Sequence, residues 1–267
     1  MSLWGKVAGA GFGYLLGGPI GAVLGVFLGH QFDKGLRHNL FQSRADIERI
    51  QASFFTTLFS VMGHLAKADG RVSTQEIKTA EAIMQQMSLN EEQRRVAIEL
   101  FNKGKQADFP LDAALGQFRQ ASHGQRNLIQ MFIEILLHAA YADGAMHPSE
   151  ERLLKHVAQK LGMSPYQFAQ LEGMVQAQQA FHQGHGAHRR PAKPSADLLQ
   201  EAYTVLGIKP DASDAEVKKA YRRQMNQHHP DKLVAKGLPE EMIKMATEKT
   251  QEIKAAYETI QKARGNK

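Results

Sequence analysis

The sequence predicts an all-α protein, and three observations on its 267 residues support this. From residue 44 to about residue 175, apolar side chains such as Ile50, Phe54 and Leu58 recur every three or four positions, the spacing of one helix face. No stretch alternates polar and apolar residues for long enough to predict a strand. Loop signals divide the region into about seven helices. They fall at Asp69-Gly70, residues 88–90, Phe109-Pro110, residues 122–124, Asp143-Gly144 and residues 163–165.

Residues 1–6 precede an apolar segment, residues 7–32, that we predict to be a single transmembrane helix. The segment exceeds the roughly 20 residues that a helix needs to cross the hydrocarbon core. A signal peptide and a flexible Gly-rich tail are the alternatives, and Pro19 favours a kink. Basic residues predominate after the segment, which predicts a periplasmic N-terminus and cytoplasmic C-terminal domains at a bacterial inner membrane. They are Lys34, Arg37, Arg44 and Arg49, against Lys6 before it.

Six glycines recur at every fourth position of this segment and form one groove on a helix. In lipid, helices associate through close packing, so overlapping GxxxG units predict a homodimer. These glycines are Gly9, Gly13, Gly17, Gly21, Gly25 and Gly29.

The composition excludes several classes of protein. Because the chain has no cysteine, disulfide frameworks, thiolate zinc sites and thiol nucleophiles are ruled out. The net charge is +6, but residues 51–173 carry twelve Lys and Arg against thirteen acids, while residues 174–196 carry three against none. Since no folded region concentrates positive charge, we predict no nucleic-acid partner. No P-loop, G-x-S-x-G or HExxH motif is present, and we predict that the protein is not an enzyme.

The central region, residues 44–175, contains an internal repeat with an offset of 74 residues. Each copy includes an Ala-Asp-Gly motif, which ends at Gly70 and at Gly144. Other positions align at the same offset: Glu76 with Glu150, Ile83 with Val157 and Met87 with Leu161. The repeat predicts duplicated helix-turn-helix units. The pattern resembles the TerB-like domain, whose helices carry an acidic turn of this kind in each half.

Four acidic residues of the repeat are candidate ligands for a divalent cation: Asp69, Glu76, Asp143 and Glu150. A structural role is favoured, because Gly70 and Gly144 are suited to helix ends, and Ser73 and Glu76 have the spacing of a capping box. The alternating oxygen ligands of an EF-hand are also missing. We therefore predict no bound metal and no other cofactor.

Residues 176–196 are rich in Gln, Gly, His and Pro, which predicts a flexible linker. His182, His185 and His188 lie three apart, but the intervening glycines deprive them of a fixed helical face. We expect solvated histidines there and not a metal site.

Residues 197–267 predict three helices around an exposed turn. A short helix ends before Gly207, and Ser213 begins a second helix that runs to about residue 228. Pro230 disfavours helical geometry in the preceding residue, so His229-Pro230-Asp231, here called the HPD turn, should be exposed. A third helix is expected over residues 239–264. The residues predicted to face inward are Val217, Ala220, Tyr221, Met225, Ile243, Ala246, Ile253, Ala256, Tyr257 and Ile260.

This region resembles the J-domain of DnaJ co-chaperones over residues 197–264. The resemblance rests on the HPD turn and on three motifs: LGIKPDAS from Leu206, KKAYR from Lys218 and EIKAAY from Glu252. It departs from the family at Thr250, where a core Phe is usual, and in the loop 233–238. The resemblance implies that a DnaK-type chaperone binds the HPD turn and the basic face of the second helix. This basic face consists of Lys218, Lys219, Arg222 and Arg223.

The three regions in this order resemble the membrane-anchored DnaJ-like co-chaperones of Gram-negative bacteria. This implies a protein that recruits a DnaK-type chaperone to the membrane and stimulates its ATP hydrolysis. Two alternatives are a membrane scaffold that uses the J-like region for docking, and a metal-responsive sensor built on the repeat. The sequence does not identify client proteins.

Overall fold

The computed structural model describes residues 41–68, 70, 74–141, 146–186 and 196–265, and these residues are all-helical, as predicted. The helices are α1 Phe41–Leu65, α2 Thr74–Gln86, α3 Glu91–Gly104, α4 Leu111–Ala121, α5 Arg126–Ala140, α6 Pro148–Lys160, α7 Pro165–Gly186, α8 Ala196–Val205, α9 Asp214–His228, α10 Pro230–Val234 and α11 Ile243–Ala263. We call α1 to α7 the central bundle and α8 to α11 the C-terminal domain.

The core of the central bundle is built around α1. Phe54 of this helix packs edge-on against Phe118 and Phe132, with ring centroids 5.5 Å away in both cases. On another face α1 touches α3 directly, since a Cβ atom added to Gly63 would lie 1.9 Å from the carbonyl oxygen of Phe101. Gly104 approaches Ser60 equally closely. These glycines allow two helix backbones to meet where larger residues would separate them.

The internal repeat is visible in the helix boundaries. Both ends of α2 are shifted by 74 residues in α6, which runs from Pro148 to Lys160. The apolar positions that align in the sequence are all buried, namely Ile83, Met87, Val157 and Leu161. Gly70 has a φ of +93°, which fits its expected role at a helix end.

Helix α7 continues through half of the predicted linker. The prediction of a linker over residues 176–196 is therefore wrong up to Gly186, where α7 ends. Phe168 of this helix lies in the core of the central bundle, whereas Phe181 lies in the core of the C-terminal domain. Burial of Phe181 and Gln178 stabilises a helix that the Gly- and Gln-rich composition did not predict.

The C-terminal domain has the expected hairpin of long helices. Six predicted core residues are buried: Val217, Ala220, Ala246, Ile253, Ala256 and Ile260. Ile243 was expected to face inward but is 39% exposed. Residues 240–242 form a 3-10 turn, so α11 begins only at Ile243, and Met242 and Ala246 take the buried positions beside it. Thr250 is partly buried, and its hydroxyl donates to the Thr247 carbonyl at 2.8 Å.

Several predicted features lie outside the described residues. These are the segment 7–32 with its six glycines, Ser73, Asp69, Asp143, His188 and the side chains of Glu76, His182 and His185. Among the helices that the structure describes, none has the length and apolar character needed to cross a bilayer.

Candidate functional site

The second helix of the C-terminal domain, α9, begins with the predicted capping box. The Ser213 hydroxyl accepts from the Glu216 amide, and the Glu216 carboxylate accepts from the Ser213 amide at 2.8 Å. The bond from the Ser213 amide, followed by one that the Ser213 hydroxyl donates to the same carboxylate at 2.8 Å, lowers the pKa of Glu216. The basic face of α9 is exposed along its whole length. The capping box therefore fixes where α9 begins, and the helix presents four cations to solvent.

The HPD turn follows α9 directly. His229 has an extended backbone, with φ −61° and ψ 123°, and Pro230 is the first residue of α10. The side chains of His229 and Asp231 are 45% and 91% exposed, and His229 Nδ1 lies 4.0 Å from Asp231 Oδ2, too far for a hydrogen bond. The Lys232 ammonium donates to the Asn226 side chain and links the two sides of the turn. Asp231 thus faces solvent on a supported turn, and His229 does so in part, since its Nδ1 atom is buried.

The two long helices of this domain are joined by apolar and aromatic contacts. Tyr221 on α9 stacks on Tyr257 of α11, with ring centroids 4.3 Å apart. Tyr203 of α8 is buried in the same core, together with Val217 and Ile253. This packing fixes the angle at which α9 carries the basic face and the HPD turn.

Arg264 closes the far end of the domain, just after α11. Its guanidinium donates to Asp214 at 2.6 Å, to the Tyr203 hydroxyl at 2.8 Å and to the Ala212 carbonyl at 2.6 Å. The Asp214 carboxylate is the main reason that the pKa of Arg264 is raised. One side chain therefore ties the end of α11 to α8 and to the start of α9.

The chain after the HPD turn is docked on the central bundle. We call residues 233–246 the docking segment, because four of its side chains are buried in the central core: Leu233, Leu238, Met242 and Ala246. Gly237 has a φ of +99°, and a Cβ atom there would lie 2.5 Å from Ile50 Cγ2. Gln51 also donates to the Leu238 carbonyl at 3.1 Å. The loop that departs from the J-domain pattern is thus the part that binds the central bundle.

A buried charge cluster lies beside this contact and joins four helices. Glu134 of α5 contacts His228 of α9 at 3.0 Å and Lys249 of α11 at 3.2 Å. Lys249 also donates to Gln178 of α7 at 2.5 Å. Burial alone would raise the pKa of Glu134, but the charges of Lys249 and His228 outweigh it and hold the pKa well below its ordinary value of 4.5. The carboxylate is therefore ionised inside the protein.

Sequence reasoning missed this cluster, although each residue left a local signal. Glu134 lies within a run of apolar residues on α5, and its neighbours on both sides are buried. Lys249 follows Ala246 by three positions and precedes Ile253 by four, so it lies on the apolar stripe of α11. His228 follows the buried Gln224 by four positions and so lies on the same face of α9. These patterns indicate burial but do not identify partners.

Glu150, one of the four candidate metal ligands, caps a helix in the structure. Its carboxylate accepts from the His147 amide at 2.8 Å, and the two residues form a capping box at the start of α6. In the second repeat, His147 and Glu150 occupy the positions that Ser73 and Glu76 occupy in the first. Within the described ranges, no three His, Asp or Glu side chains come close enough together to bind a metal ion.

A helical hairpin with an exposed HPD turn, a basic face and an attached helical bundle defines a J-domain protein. Comparison with protein families gives the same result, because the DnaJ domain matches residues 201–265. Tellurite resistance protein TerB matches residues 56–173, and the Co-chaperone DjlA transmembrane domain matches residues 1–39.

Full-length relatives name the particular family. The chain is 47% identical to Co-chaperone protein DjlA of Photobacterium profundum, over 99% of this chain and 100% of the relative. The proteins of the same name from Coxiella burnetii and Escherichia coli K12 are 44% and 42% identical, over 99% and 100% of both chains. No solved structure matches the chain. The chain belongs to the DjlA family of co-chaperones, and its transmembrane-domain match indicates an inner-membrane protein.

Proposed function

We propose that this co-chaperone recruits a DnaK-type chaperone through its HPD turn and basic face and stimulates ATP hydrolysis by that partner. The observation that carries the proposal is the orientation of the turn. Asp231 is almost fully exposed, whereas Leu233, two residues later, is buried in the central bundle. The docking segment therefore occupies the central bundle while the HPD turn and the basic face remain open to a partner.

The two parts of this surface have different tasks in the proposal. The four cations of the basic face attract an acidic surface of the partner at long range, which raises the rate of encounter more than the final affinity. The polar groups of His229 and Asp231 bind groups of the partner that change arrangement when ATP is hydrolysed. Hydrolysis itself takes place in the partner, so the chain is a regulator and not an enzyme.

The membrane part of the proposal rests on the sequence and on the transmembrane-domain match to residues 1–39. We propose that residues 7–32 cross the inner membrane with a periplasmic N-terminus, so that the J-domain is cytoplasmic. The six glycines at every fourth position support a homodimer through this helix.

The test is single-turnover ATP hydrolysis by DnaK with the full chain in lipid nanodiscs. The chain should accelerate hydrolysis, and His229→Gln or Asp231→Asn should abolish the acceleration while circular dichroism stays unchanged. Lys218→Ala with Arg222→Ala should require more co-chaperone for half-maximal stimulation and reach the same maximum. Full stimulation by a folded His229→Gln chain would contradict the proposed role of the turn.

A matched control separates the location of the charges from their number. Lys244 and Lys262 are exposed on α11, whereas the basic face lies on α9. Replacing both with Ala removes the same net charge as the Lys218 and Arg222 pair. This control should leave the half-maximal concentration unchanged, and an equal shift in both double variants would show that only net charge matters. DnaK binding without acceleration by the unaltered chain would favour the scaffold alternative.

A further inference from the structure

The buried charge cluster ends at the residue that precedes the HPD turn. His228 is the last residue of α9, and its side chain is only 2% exposed, as is that of Glu134. The next residue, His229, leaves the helix with extended backbone. Any rotation or displacement of the end of α9 would therefore be passed directly to His229 and Asp231.

The His228 ring is held from two directions. Its Nδ1 lies 3.0 Å from the Gln224 carbonyl, and its Nε2 lies 3.0 Å from Glu134 Oε1. Both partners accept hydrogen bonds, so the arrangement is satisfied when both ring nitrogens carry a proton and donate. Glu134 is fixed in turn, because Gln130 donates to the same oxygen at 3.0 Å and Lys249 lies against the other oxygen.

The HPD turn is anchored on its other side as well. Leu233 is fully buried in the core of the central bundle. The turn is thus bracketed by two contacts with the same neighbouring domain, His228 before it and Leu233 after it. Pro230 restricts the backbone between these anchors, so few orientations of His229 and Asp231 are compatible with both.

Apolar contacts join the two domains in addition to the cluster. The apolar side chains of the docking segment provide burial between them, whereas buried ion pairs often add no stability over apolar residues of similar size. Buried charges do impose geometry, because each must keep its partner at hydrogen-bond distance. The cluster is therefore suited to set the angle between α5 and α9.

We propose that Glu134 of the central bundle is a positioning residue for DnaK stimulation, acting through His228 on the orientation of the HPD turn. The TerB-like bundle is then part of the coupling machinery and does more than carry the J-domain. This proposal rests on the proposed function, because it concerns how efficiently a bound HPD turn stimulates ATP hydrolysis.

The experiment separates the maximal rate from the concentration needed to reach half of it. With full chain in nanodiscs, Glu134→Gln should lower the maximal DnaK stimulation by about tenfold, as expected when a group that must bind in one geometry is slightly displaced. The half-maximal concentration should stay the same, because the basic face is untouched. Glu99→Gln on α3 is the matched control: it removes an exposed carboxylate and should change neither quantity.

A second variant separates positioning from folding. Glu134→Met, His228→Leu and Lys249→Met together replace the cluster by apolar residues, which should keep the melting temperature and the docked arrangement. Stimulation should remain low in this stable variant. If it stimulates DnaK as strongly as the unaltered chain, the cluster is only structural and the proposal is wrong. Absence of stimulation by the unaltered chain would instead remove the proposed function.

Discussion

The two ends of α11 are held by charges in different surroundings. Near its start, Lys249 pairs with Glu134 in the protein interior, where the two side chains are 6% and 2% exposed. Past its end, Arg264 pairs with Asp214 where the carboxylate is 61% exposed. Water can replace a lost partner at the second site but not at the first. Removing one partner of each ion pair should therefore lower the free energy of unfolding by very different amounts.

The largest effect is expected from Lys249→Ala. It leaves an ionised Glu134 in the interior without its ammonium partner, and such changes cost about 3 to 5 kcal/mol. The free energy of unfolding in urea measures this. Lys254→Ala, on the same helix but exposed beside Glu258, should cost under about 1 kcal/mol. Equal losses in the two variants would show that burial does not distinguish the sites.

The same cluster should make stability depend on acid pH. The pKa of Glu134 is lower in the folded protein than its ordinary value of 4.5, so its contribution is complete above that pH and is lost as pH falls below it. The groups that face its carboxylate from neighbouring helices are His228 and Lys249. Urea unfolding followed from about pH 6 down to about pH 3 should show a smaller decline below pH 4.5 for Glu134→Gln than for the unaltered chain. Parallel curves would mean that Glu134 is not ionised in the fold.

Two glycines extend the comparison to the backbone. Gly237 in the docking segment and Gly265 beyond α11 both have positive φ, +99° and +72°. An added Cβ meets Ile50 at Gly237 but has open space at Gly265. Gly237→Ala should therefore cost about 2 kcal/mol or more, from strain plus a clash, and Gly265→Ala only about 1 kcal/mol, from strain. Thermal unfolding measures both losses of stability. A larger loss for Gly265→Ala would contradict the close contact between Gly237 and Ile50.

A further pair of variants, Arg264→Ala and Asp214→Asn, tests the exposed site past the end of α11. Arg264→Ala removes hydrogen bonds to Tyr203 and Ala212, with an expected cost of about 1 to 2 kcal/mol. The part of this loss of stability that is due to the ion pair with Asp214 should decline with added salt, because that carboxylate is exposed. Asp214→Asn should therefore lose less stability than Arg264→Ala, and the difference should persist at high salt. Equal losses would mean that the ion pair dominates.

Local spacing explains which features the sequence could predict. The capping box of Ser213 and Glu216 and the exposed basic face depend on residues a few positions apart. Both features can therefore be predicted from the local sequence. The link between Glu134 and His228 joins residues 94 positions apart, and only the packing of two domains brings them together. The extension of α7 was missed for the same reason: Phe181 is buried in the core of the C-terminal domain, most of whose residues come later in the chain.

The shared helix α7 also limits how far the J-domain can travel from the bilayer. It spans 22 residues, a length of about 33 Å, and belongs to both cores. The chain between the predicted membrane segment, which ends at residue 32, and α1, which begins at Phe41, reaches about 30 Å when fully extended. A chaperone that engages the HPD turn would then work within a thin layer beside the lipid headgroups, and the proteins present in that layer would define its clients by location. Energy transfer from a dye beside the turn to labelled lipids should be strong and uniform, whereas a broad distribution would indicate a free tether.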